Sequence, residues 1–234
     1  MLQDILLTDA RFDSDFAAQA ADIFTRTARE GEPCQVGSIK LTGQSLSFGR
    51  NAEIYGEGTP AAYFYKVVSG AVRTYRVLAD GRRQIQAFHA PGDVFGFELE
   101  CEHTHSAEAI VDSRIVLIRR GTITALAARD GDVARQLWTL TARELRRVQN
   151  HAMLLVKTAR ERVVSFLLEM AERGPTGEPV TLPMSRQDIA DYLGLTIETV
   201  SRTLTSLESL DAIALPNSRR IVLRDRAALS RLSS

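Results

Sequence analysis

Cysteine is scarce in this chain: there are two in 234 residues, Cys34 and Cys101. An iron–sulfur cluster needs about four thiolates at close spacing, so none is available here. Long apolar runs are missing too: no stretch reaches the roughly 18 residues of a spanning helix, so none is expected. The first residues, MLQDILLTDARFDSDF, are acidic and carry no basic segment before an apolar run. They do not read as a secretory signal, so the expected location is the cytosol, with both thiols reduced and, by default, buried and structural. Net charge is absent as well, 29 basic side chains facing 29 acidic ones. From Arg160 onward the balance is again even, ten of each sign. Bulk electrostatic attraction to a polyanion is therefore excluded, and any such affinity must come from where particular arginines point and from pairing of two copies. No nucleophile–base motif and no phosphate-cradling glycine loop occurs, so no enzyme is expected.

What is present is a 44 % apolar composition, enough for a real core. Residues 1–45 read as a weakly patterned arm. It has a short helix over Asp15–Arg26, where Phe16, Ala20 and Phe24 recur at spacing four, and loop from Glu30 to Gly43. From Leu46 to about Arg120 short apolar runs alternate with glycines, which predicts strands at Ala62–Val68, Ala71–Leu78, Arg83–His89, Val94–Phe97, Ala107–Val111 and Ile115–Ile118. Asp80-Gly81 between two of these is a hairpin signal. Strands at this spacing predict an all-β sandwich or barrel rather than a βαβ fold. The chain's four histidines are His89, His103, His105 and His151. Cys101, His103 and His105 lie close enough to draw a metal site, but three polar residues at a strand end also make an ordinary loop, and no metal is expected.

From Asp132 to about Arg160 proline and glycine disappear and the pattern becomes helical. Leu137 stands early in it. Leu145, Val148, Ala152, Leu155 and Ala159 follow three and four apart, as in a coiled-coil seam. A helix of about 30 residues is too long to rest on its own propensity. It either packs along the barrel or pairs with a second copy, and the continuous stripe favours a homodimer. A shorter helix over Glu161–Arg173, a loop at GPTGEP and a brief strand at Val180–Leu182 come next.

The segment SRQDIADYLGLTIETVSRTLTSL, Ser185 to Leu207, predicts two short helices about a tight turn. Ser185 and Asp188 form the pattern of a capping box. Ile189 and Leu193 give the first helix a buried stripe, and Gly194 suits a helix end that needs positive φ. Thr196 can cap the second helix, with Glu198 in its first turn. Val200, Leu204 and Leu207 face a core. Glu198, Ser201, Arg202 and Thr205 fall on the opposite side, where an acceptor, a hydroxyl and a fork of donors match the edges of bases in a major groove. Ser185, Gln187, Thr196 and Thr199 lie at helix starts or edges and suit phosphates. Two strands follow, Ile213–Leu215 and Ile221–Leu223, joined by Pro216-Asn217-Ser218. They read as a wing whose Arg219 and Arg220 can meet the DNA backbone.

Together these features resemble the Crp/Fnr family of bacterial transcription regulators over roughly residues 45–225. PGDVFGFE (91–98) resembles the glycine-bracketed turn of that family's roll, and SRQDIADYLGLTIETVSR (185–202) its DNA-reading motif. The spacing Glu198-x-x-Ser201-Arg202 resembles the Fnr/FixK branch. The Crp branch has Arg where Ile197 stands and Gly where Ser201 stands. With no cluster cysteines, the chain is most similar to FixK-type regulators. The resemblance implies an α+β chain with a cyclic-nucleotide-binding-like jelly roll over 46–128, a dimerisation helix over 129–159 and a winged helix-turn-helix over 160–234. It implies activation of genes for low-oxygen and nitrogen-oxide respiration, an inverted repeat TTGA…TCAA read by Glu198, Ser201 and Arg202, and contact with RNA polymerase. Crp-type rolls hold a cyclic nucleotide's phosphate on a Gly-Glu segment and an Arg-Ser pair. Here Gly96-Phe97-Glu98 interrupts the first and His105-Ser106 replaces the second, so no bidentate phosphate partner remains. The expectation is a regulator without cofactor or small-molecule effector. A haem- or effector-gated sensor and an interaction module with a degenerate DNA domain are the alternatives.

Overall fold

The computed structural model describes residues 29–36, 39–175 and 178–233. The helix expected over Asp15–Arg26 lies outside them. The chain forms two compact units. One runs to Thr74 and resumes over His89–Thr141, and the other takes Tyr75–Phe88 and Ala142 onward.

In the first unit the strands are β1 (Arg29–Val36), β2 (Ile39–Phe48), β3 (Glu53–Tyr55), β4 (Tyr63–Ser69), β5 (Val72–Val77), β6 (Arg83–His89), β7 (Val94–Phe95), β8 (Ser106–Ala109) and β9 (Ser113–Arg119), with β5 and β6 running on into the second. They form a five-stranded sheet in the order β1-β2-β9-β4-β7 and a four-stranded sheet in the order β3-β8-β5-β6. Strand β9 shows why its sequence is almost continuously apolar. Ile115 and Leu117 join a cluster with Tyr55, Tyr65, Val72 and Phe95, drawn from both sheets. Val116 and Ile118, one step out of phase, join Val36, Ile39, Leu41 and Ile123 on the other face. Side chains alternate across a strand, so a strand buried on both faces loses its polar alternation. That second face is covered by α1 (Arg120–Ala127) and by the start of α2 (Gly131–Leu155), which adds Val133, Leu137 and Leu140.

Three sequence expectations are corrected. Glu30–Gly43 is not loop: it forms β1 and β2, paired antiparallel from Val36↔Ile39 outward. Its Pro33 and glycines read as breakers, yet β1 is an edge strand, where proline is tolerated. Gly43 is needed for close approach, because a Cβ there would lie 2.4 Å from Val116 Cγ1 and 2.6 Å from the Leu117 carbonyl oxygen. Helix α2 ends at Leu155 rather than near Arg160. Thr158 caps the next helix, α3 (Ala159–Arg173): its hydroxyl accepts from Glu161 N at 3.4 Å, and Glu161 Oε2 accepts from Thr158 N at 2.7 Å. Ala159 therefore opens α3 and does not continue the stripe. Helix α1 was not foreseen in the sequence.

The second unit is built on α3, α4 (Arg186–Leu193), α5 (Ile197–Ser209) and α6 (Arg226–Leu232), with a small antiparallel sheet ordered β10-β12-β11 from β10 (Val180–Thr181), β11 (Ile213–Asn217) and β12 (Arg220–Leu223). Val164, Phe166, Leu193, Leu204, Leu207, Ile221 and Leu229 are buried at its centre. Full burial of each such side chain contributes about 1.5–3 kcal/mol. Among the described residues no helix is long and apolar enough to cross a membrane.

Candidate nucleic-acid interface

The turn between α4 and α5 is set by local chemistry. Ser185 Oγ accepts from Asp188 N at 3.0 Å, and Asp188 Oδ2 accepts from Ser185 N at 2.9 Å and from its hydroxyl at 2.7 Å. Both partners of the capping box are thus satisfied. Gly194 ends α4 at φ 61°, ψ 41°, a left-handed conformation that other residues adopt only under strain. Thr196 then caps α5, accepting from Thr199 N at 3.2 Å.

This turn aims α5 with one face in and one face out. Val200, Leu204 and Leu207 are buried. Glu198, Ser201, Arg202 and Thr205 are all exposed along the opposite side. Glu198 and Arg202, four apart on this face, do not pair with each other, and among the described residues neither side chain makes a polar contact. An acceptor and a five-donor fork held out without partners on one helix face can engage base edges.

The expected backbone-contacting residues surround this face. Ser185 and Thr196 are engaged as caps, and Thr199 Oγ1 lies 3.0 Å from Thr196 Oγ1. Gln187 donates to Asp191 Oδ1 at 2.6 Å and remains exposed. In the wing, Asn217 Oδ1 accepts from Arg219 N at 2.9 Å and shapes the tip, where Arg219 and Arg220 are exposed. Strand β12 also pairs with β10, through Val180↔Ile221 and Thr181↔Arg220, so the hairpin rests on a third strand.

Arg162 is a positioning residue that sequence reasoning missed. Its guanidinium donates to Leu155 O at 2.6 Å, Lys157 O at 2.9 Å and Leu193 O at 2.9 Å. It thereby satisfies carbonyls at the ends of both α2 and α4, which a helix leaves without internal partners. Nothing in the local pattern marks it, because its acceptors lie up to 32 residues away.

The segment expected to differ from a nucleotide-phosphate site, Glu98 with His105-Ser106, forms a cluster of side chains that contact one another. His103 Nδ1 lies 3.0 Å from Glu98 Oε1, and His105 Nε2 lies 3.6 Å from the same oxygen. Tyr65 OH is 3.2 Å from His103 Nε2, and the Tyr55 ring stacks on His103 at 3.6 Å. Burial pushes the Glu98 carboxyl up, but the hydrogen bond and charge of His103, with His105, outweigh it and leave the group below its ordinary range. Ser106 Oγ accepts from Glu57 N at 3.0 Å. Among the described residues no group of three or more potential ligands is placed to hold a metal ion. Cys101 is a free thiol and, contrary to expectation, exposed. The side chain of Cys34 lies outside what is described.

Helix α2 carries an uncovered apolar stripe. Trp138 is 75 % exposed, Leu145 and Val148 are each 58 % exposed, and Leu155 is 36 % exposed. With Thr141 and Ala152, also exposed, these recur at alternating steps of three and four. Leu137 is not on this stripe; it is half-buried against the roll cluster.

A Crp-like helix-turn-helix domain is matched over residues 161–232 and a cyclic nucleotide-binding domain over residues 45–130. The chain is 51 % identical over 208 residues to the nitrogen fixation regulation protein FixK of Azorhizobium caulinodans, covering 86 % of this chain and 83 % of that protein. It is 40 % identical over 200 residues to the protein of the same name from Rhizobium meliloti, covering 84 % and 92 %. Its fold matches the solved structure of FixK2 from Bradyrhizobium japonicum with a TM-score of 0.80 and 50 % identity, covering 83 % of this chain and 98 % of that one. A two-sheet roll followed by a winged helix-turn-helix with an outward polar helix face defines a DNA-binding regulator of transcription. The chain belongs to the Crp/Fnr family of transcription regulators and is FixK-like within it.

Proposed function

We propose that this regulator acts as a homodimer that reads an inverted repeat of the form TTGA…TCAA and activates genes for low-oxygen and nitrogen-oxide respiration without a small-molecule effector. The observation that carries this reading is the outward face of α5, where Glu198, Ser201 and Arg202 stand exposed beside a backbone-facing rim of Gln187, Thr196 and Thr199. Arg202 donates to O6 and N7 of the guanine, Glu198 accepts from a cytosine N4, and Ser201 touches a thymine. The apolar stripe of α2 supplies the dimer contact, which places two reading helices on two half-sites. Effector-free action is supported by two features: the Glu98 carboxylate is engaged by His103, and neither sequence neighbour of Ser106 is an arginine. The names of the FixK relatives extend the proposed targets to the regulation of nitrogen fixation. Contact with RNA polymerase completes the activator reading.

The test is Arg202→Ala, measured on the intact repeat and on versions with single base changes. The variant should lose about 1–3 kcal/mol on the intact site and flatten the preference at the G·C pair. Full discrimination at that pair by the variant would mean that α5 does not read it. Gln187→Ala should weaken binding to all sequences alike.

A further inference from the structure

The reading helix leans on α4, and α4 is held in turn by a junction that the base contacts do not use. His151 sits near the end of α2, half-buried. Its Nε2 lies 2.8 Å from the carbonyl oxygen of Tyr192, in the last turn of α4. Its Nδ1 lies 3.2 Å from the carbonyl oxygen of Gln86, in β6. The ring stacks on Tyr192, centroids 4.1 Å apart and planes 22° from parallel. Beside it, Arg83 of the same strand reaches Asp188 Oδ1 at 2.6 Å and Asp191 Oδ2 at 2.9 Å, and Phe88 packs 5.2 Å from the Tyr192 ring.

A carbonyl oxygen only accepts hydrogen bonds, and a neutral imidazole has one N–H. With a carbonyl opposite each ring nitrogen, a neutral ring satisfies one contact and sets a lone pair against the other oxygen. Only the imidazolium donates to both. Its charge is also favoured at the carboxyl end of α4, where the helix dipole is negative.

We propose that His151, as the imidazolium, is a positioning residue that ties the end of α4 to the α2 helix and to β6, so that α5 meets DNA in one orientation and DNA binding weakens as pH rises. The proposal rests on the reading of α5 as the DNA-contacting helix. The charged and titratable groups facing the junction are Arg143, Glu144, Arg146 and Arg147 of α2, Lys157 just after it, Glu169, Glu172 and Arg173 of α3, Asp188, Asp191 and the Tyr192 hydroxyl of α4, and Arg83 of β6; β6 also presents the neutral Gln84 and Gln86. Burial pushes the Glu169 carboxyl up, so a variant at this position serves as the control. The sign follows from the proton count: the tied state holds a proton on His151, so acid strengthens it and base releases it.

The test uses the full-length protein on a duplex with the inverted repeat, at fixed ionic strength, from about pH 6 to 8, where histidine side chains change charge. Wild type should bind about tenfold more weakly at the upper end, the loss expected for charge-assisted hydrogen bonds. His151→Gln and His151→Phe should bind more weakly than wild type at pH 6 and lose the slope, and Glu169→Gln should keep it. In wild type without DNA, ring-nitrogen NMR at pH 6 should show both nitrogens of His151 protonated, a readout that needs no variant to fold. A pH-independent wild type, a wild-type slope in His151→Gln, or a singly protonated ring at pH 6 overturns the proposal. Failure of wild type to bind any inverted repeat at any pH instead overturns the DNA reading, and the ring signal still decides the state of His151.

Discussion

Single residues set the ends of the helices that matter here. Ser185 and Asp188 share a reciprocal cap, and Ser185→Ala should lower stability by about 1 kcal/mol in thermal unfolding. Arg162 does more, because its loss strands carbonyls at the ends of two helices. Arg162→Ala should cost roughly 1–3 kcal/mol for each buried acceptor left unpaired. In the roll, Glu98 is held ionised by His103, so its contribution to stability is present above the ordinary carboxylate range and disappears as pH falls through its depressed value. Glu98→Gln should therefore unfold with a flatter acid limb than wild type. The capping box, the left-handed Gly194 and the polar face of α5 were legible in the sequence because each is a pattern within one or two turns. Arg162 and the Glu98–His103–Tyr65 network were not, since their partners meet only through the fold.

At the scale of elements, the helix-turn-helix and most strands were read from periodicity, while β1, β2 and the three-residue β3 were not. A strand pair that contains Gly31, Pro33 and Gly43 carries the marks of a loop, and its burial against Val116 is a tertiary fact. The α2 stripe was legible in its spacing but not in its limits. Exposure places Trp138 on it, assigns Leu137 to the roll, and ends it at Leu155. The Thr158-x-x-Glu161 cap was a local signal of that break. Leu145→Glu or Leu155→Glu should put a charge into the apolar interface and shift the protein to monomer in sedimentation, with loss of binding to the two-half-site repeat. A variant that stays dimeric would place the interface elsewhere.

For the whole molecule, the zero net charge means that the proposed recognition would have to depend on a few placed side chains and on two copies acting together. The most direct measurement is selection of bound sequences from random DNA with the purified full-length protein, with and without added nucleotide or haem. The account predicts enrichment of a TTGA…TCAA inverted repeat in the absence of any additive, with half-site centres about one helical turn apart. Enrichment that requires an additive, a lone half-site without its mirror copy, or no enriched sequence at all would contradict it.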